Sequence, residues 1–114
     1  MISKKLKLDL IKAEHQKREV VLEGGSIDYN GLGTIITTEE CLMDSEKQVR
    51  NKNYSKKNYE EVFNNYLGAT NVIWLNKGIT GDDTHGHVDD LTRFVNPNTV
   101  VTVIESHPND PNYI

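Results

Sequence analysis

Tyr59, Val62, Phe63, Tyr66 and Leu67 recur at i, i+3, i+4, i+7 and i+8, the spacing of one apolar stripe on an α-helix. Ser55 stands where an N-cap hydroxyl belongs, and Gly68 where a left-handed residue ends the last turn. Such a stripe faces a core. The run NVIWL, residues 71–75, follows at once and reads as a strand, so a helix lying on a sheet is the most constrained part of the chain.

The flanks fill in the pattern. Leu6, Leu10, Ile11 and Ala13 predict an N-terminal helix capped by Ser3, with Lys4, Lys5, Lys7, Asp9, Lys12 and Glu14 outward. VVLEGGSID, residues 20–28, and GTIITTEE, from Gly33, predict a hairpin turning at Asn30-Gly31, with Gly24-Gly25 marking a bulge or close approach. Residues 44–58 are polar, with Lys47, Arg50, Lys52, Lys56 and Lys57, and read as a solvated loop. VDDLTRFV and TVVTVIE predict two more strands around Asn96-Pro97-Asn98, and HPNDPNY predicts turns. The fold class expected is α/β or α+β. A hairpin, helix and return strand recur in outline, without enough identity to establish a repeat.

The 114 residues suit a single domain, 1–114. A net charge of −4 without a basic block argues against nucleic acid, and no apolar run is long enough to span a bilayer. A lone cysteine and the lack of an apolar leader point to a cytoplasmic setting.

The decapeptide GDDTHGHVDD, residues 81–90, holds two of the four histidines and four of the seventeen acidic residues. His87 and Asp89, two apart at the start of an expected strand, would project from one face. An imidazole beside a carboxylate is the usual equipment for general acid/base chemistry. Glu23 is an acid inside an apolar run, and so either faces solvent or has a cationic or donor partner. Asp82, Asp83, His85, His87, Asp89 and Asp90 also offer metal ligands, but their spacing matches neither HExxH nor a calcium loop. Cys41, flanked by Glu39 and Glu40, reads as a small buried apolar residue rather than a nucleophile.

VVLEGGSIDYNGLGTIITTEECLMD, NYLGATNVIWLNKGITGDDTHGHVDDLTRFVNPNTV and HPNDPNY together resemble the agmatine deiminases, also labelled bacterial-type peptidyl-arginine deiminases. The resemblance runs from about Val20 to Tyr113. It implies the guanidine-modifying, pentein-like α/β propeller of five blades, of which this chain would hold about two. It also implies hydrolysis of the agmatine guanidinium to N-carbamoylputrescine and ammonia, a step toward putrescine, through a covalent intermediate on a cysteine. Carried over by motif, His87 is the general acid/base, Asp89 binds the guanidinium, and Glu23 supports both His87 and substrate. Neither cofactor nor metal is implied, and the partner is a small guanidine.

The chain also departs from the family pattern. The glycine-rich motif that carries the nucleophilic cysteine does not occur, nor does an upstream acid that grips the guanidinium. His85 stands where the family is usually acidic, and Asp90 where Asn is common. The expectation is a central piece, inactive alone and self-associating through exposed blade edges. The alternatives are a non-catalytic binding or assembly module that keeps a guanidinium or polyamine pocket, and a metal-dependent hydrolase.

Overall fold

The structure is a computed structural model that describes residues 2–113. In chain order it contains α1 (Ile2–Leu6), β1 (Glu14–His15), β2 (Arg18–Glu19), a 3-10 turn (Gly24–Ser26), β3 (Ile27–Tyr29), β4 (Thr34–Thr38), α2 (Glu39–Leu42), α3 (Lys56–Leu67), β5 (Asn71–Leu75), β6 (Thr92–Asn96) and β7 (Thr99–Thr102).

The β-branched run TIITT makes β4 the centre of a three-stranded sheet. β3 pairs antiparallel on one side, with Asp28 opposite Ile36, and β5 pairs parallel on the other, with Ile36 opposite Ile73. A parallel partner cannot be reached by a tight turn; here α2, the polar loop and α3 form the crossover. α3 begins at a reciprocal cap: Ser55 Oγ accepts from the Asn58 N–H, and Asn58 Oδ1 accepts from the Ser55 N–H at 2.9 Å. It ends at Gly68 with φ of 68°. The face it buries carries Tyr59, Val62 and Phe63, all at most 1% exposed, whereas Tyr66 and Leu67 are 40% exposed. Ile35, Cys41, Leu42, Tyr59, Phe63 and Ala69 form the core, with Trp74 packed edge-on to Tyr59 at 6.2 Å between centroids.

β6 and β7 form a separate hairpin. Buried Asp28 on β3 reaches it, accepting from the backbone N–H of Phe94 at 2.5 Å and from Arg93 Nε at 3.1 Å.

Three sequence expectations are corrected. The N-terminal helix stops at Leu6, and Lys7 has φ of 54°. Leu10 and Ile11 are 57% and 80% exposed, so the expected stripe has no surface to pack against, and so short a helix is marginal in water. Beyond it the chain makes the β1–β2 hairpin, turning through Gln16 and Lys17 with φ of 51° and 63°. Residues 20–23 are not a strand; the Asn51 side-chain amide bonds Val21 N and Val21 O, at 2.9 and 2.7 Å, in place of a partner strand. The strand expected from Val88 begins at Thr92, because Leu91 N and Thr92 N both donate to Val88 O and close a turn there. The α3 helix, β5 and the C-terminal turns lie where they are expected, and β7 starts at the expected Thr99 but ends at Thr102, short of Glu105.

Candidate active site

The decapeptide folds as a loop organised by its own second residue. Asp82 accepts from the backbone N–H groups of Thr84, Gly86 and His87, at 2.8, 3.0 and 3.2 Å, and from the Thr84 hydroxyl at 2.5 Å. Burial pushes its carboxyl upward, but these bonds outweigh burial and hold it below the ordinary carboxylate range. The tight loop needs positive φ at His85 (61°) and at Gly86 (85°). A side chain on Gly86 would also meet the Glu40 side chain at 2.9 Å.

This loop aims His87 back at the 3-10 turn after Glu23. His87 Nε2 lies 2.6 Å from Glu23 Oε2, and His87 Nδ1 lies 3.9 Å from Asp89 Oδ1. The imidazole is 13% exposed, while the Glu23 and Asp89 side chains are 42% and 34% exposed. So the ring is walled in and the two carboxylates open outward. The hydrogen bond with His87, ahead of those from Arg50, holds the Glu23 carboxyl below its ordinary value. An ionised carboxylate only accepts, so Nε2 carries the proton in that contact. Gly25 makes the convergence possible: a Cβ there would lie 2.5 Å from His87 Nδ1 and 2.7 Å from Asp89 Oδ1.

Glu23, His87 and Asp89 are thus brought together, although His87 lies in the loop just before a turn and Asp89 within it, and neither on a strand face. Sequence reasoning missed Arg50, which was assigned to a solvated loop. Its side chain is only 5% exposed and donates to Glu23 Oε2 from Nη2 at 2.9 Å and from Nε at 3.2 Å. The available signal was that it is the one arginine among four lysines there, and a planar fork suits a carboxylate.

The other candidates go elsewhere. His85 Nε2 lies 3.0 Å from Asp44 Oδ2, and Asp82 is occupied by its own loop. Glu23, Cys41 and His87 each present an atom within 4.8 Å of the others, the one such group with metal-ligand chemistry among the described residues. It suits a metal ion poorly, because Glu23 Oε2 is already taken by Arg50 and His87 and burial pushes the Cys41 thiol up to about 11. Cys41 is 1% exposed, as expected of a small core residue and not of a reactive thiol. Among the described residues no helix is long and apolar enough to cross a membrane.

The family profile for Porphyromonas-type peptidyl-arginine deiminase matches residues 1–114. The chain is 43% identical over 114 residues to an agmatine deiminase of Medicago truncatula, covering 99% of this chain and 29% of that protein. It is 40% identical over 103 residues to an agmatine deiminase of Pseudomonas aeruginosa, covering 90% of this chain and 27% of that one. Among solved structures it superposes on C. jejuni agmatine deiminase with substrate bound at a TM-score of 0.82 and 34% identity, covering 99% of this chain and 32% of that chain. The Enterococcus faecalis agmatine deiminase gives a TM-score of 0.74 and 40% identity, covering 82% of this chain and 25% of that chain. The chain therefore spans less than a third of the length of these curated relatives.

Proposed function

The chain belongs to the Porphyromonas-type peptidyl-arginine deiminase family, and from that premise we propose that it carries the acid/base and cation-binding part of an agmatine deiminase, a hydrolase of guanidinium C–N bonds. The observation that carries this reading is the imidazole of His87 set between two open carboxylates, 2.6 Å from Glu23 and 3.9 Å from Asp89. A guanidinium is a flat cation with paired donors, and carboxylates are its natural partners. Asp89 takes one edge of it, and Glu23 steadies both the cation and the ring.

The proposed reaction runs in two stages. A thiolate attacks the guanidinium carbon, and ammonia departs with a proton delivered by His87. Water, its proton taken by His87, then attacks the amidino carbon and releases the thiolate and the ureido product. Cys41 does not serve as that thiolate, being buried and hard to ionise, so the nucleophile comes from outside these 114 residues. The proposal extends to a pentein-like propeller of five blades, of which these residues form about two, to a cytoplasmic role in putrescine formation, and to self-association through the exposed valines of the β6–β7 hairpin. Val101 and Val95 there are 61% and 58% exposed.

Calorimetric titration of the purified chain with agmatine tests the reading. Asp89→Asn is expected to weaken binding about 10- to 100-fold, the loss of one charge-assisted contact. Equal affinity in wild type and Asp89→Asn would remove Asp89 from the site. The burial of the one thiol favours a second reading, a non-catalytic module that binds guanidines or polyamines. A ureido product formed from agmatine by the isolated chain would exclude it.

A further inference from the structure

The Arg50 guanidinium has all three nitrogens engaged. Beyond the two bonds to Glu23, Nη1 donates to the carbonyls of Cys41 and Gln48, each at 3.2 Å, and Nη2 donates to the carbonyl of Thr84 at 2.6 Å. Those carbonyls belong to α2, to the loop that carries Arg50, and to the loop that presents His87. One buried cation therefore joins three separate segments around a single carboxylate. Among the described residues, every hydrogen bond to the Glu23 side chain goes to Oε2. Oε1 takes none of them, on a side chain that is 42% exposed.

We propose that Arg50 is a positioning residue for the Glu23–His87 pair: its fork locks Glu23 Oε2 against His87 Nε2 and reserves Oε1, with Asp89, for the substrate cation. The assignment of the open side to a substrate rests on the deiminase reading, but the clamp itself is a property of the free chain. The fork is essential to it. A lysine would keep the charge but supplies only a point of attachment, without the planar geometry that reaches Glu23 and the backbone carbonyls together. Arg50 acts on the ring through Glu23, with a lesser hold through the Thr84 carbonyl on the loop that carries the ring.

The test is the exchange of the His87 Nε2 proton with water, followed by NMR on the labelled chain. In the wild type this proton is expected to be protected. Arg50→Lys and Arg50→Ala are each expected to speed its exchange by at least about tenfold. Added to Glu23→Ala, the same substitutions are expected to have a much smaller further effect, because the acceptor through which Arg50 holds the ring is already gone and only the Thr84 contact remains. Unchanged protection in both Arg50 variants overturns the proposal. So does equal acceleration in the Glu23→Ala background, the signature of a generally loosened loop. Should Arg50→Ala fail to fold, Arg50→Lys carries the test, with its circular dichroism spectrum as the control. A parallel agmatine titration separates the two claims: a wild-type chain with the stated exchange pattern but no agmatine binding sinks the deiminase reading and leaves the clamp standing.

Discussion

Gly25→Ala is expected to weaken agmatine binding by about 100-fold, while Gly24→Ala, one residue earlier, leaves it at the wild-type level. The two glycines differ in what surrounds the missing Cβ. At Gly24 nothing lies within 4 Å; at Gly25 the methyl would meet His87 Nδ1 at 2.5 Å and the two Asp89 oxygens at 2.7 and 2.8 Å. All three contacts are shorter than real Cβ atoms make, so both His87 and Asp89 must shift. His87 has little room to do so, being held by Glu23 at 2.6 Å and 13% exposed. A displacement of about 1 Å among groups that must act together costs about 100-fold. Calorimetry on both variants, with circular dichroism to show that each keeps its fold, gives the comparison. Wild-type affinity in Gly25→Ala would mean that the cation binds elsewhere.

The second large effect concerns the scaffold. Phe63→Ala is expected to cost about 3–5 kcal/mol, a large share of the 5–15 kcal/mol typical of a folded domain. Phe63 is 0% exposed and packs with Ile35, Cys41, Leu42 and Tyr59, where the crossover helix meets the central strand. The hole left by its ring is walled by regular structure on both sides and cannot collapse easily. Urea denaturation should show the midpoint lowered by at least about 1 M, or no cooperative transition at all. An unchanged midpoint would show that the α3 face does not hold the fold together.

What the sequence revealed divides along physical lines. α3 and β5 were legible because their signals are local: a 3.6-residue stripe with both caps, then a β-branched and aromatic run. The N-terminal helix was misread because a weak stripe stabilises a helix only if something covers it, and coverage is a tertiary fact. The start of β6 was misread because Val88 looks like a strand residue but serves as a buried plug under a turn. In the site, the types Glu, His and Asp were visible, but the meeting of Glu23 with His87 spans 64 positions, and only the resemblance to a family supplied it. Arg50 was hidden by its neighbours, since a polar run with four lysines reads as solvent-facing.

The parallel pairing of β4 with β5 carries one more consequence. Glu23 precedes β4, Arg50 lies within the crossover, and His87 follows β5, so the three come from before, inside and after the same long closure. The β3–β4 hairpin and the crossover helix are short-range and can take shape early in folding, while the β4–β5 pairing must wait for the chain to come round. A molecule halted with hairpin and helix in place would have native-looking secondary structure and yet no meeting of Glu23, Arg50 and His87. The assembled cluster is therefore a certificate that the crossover has closed.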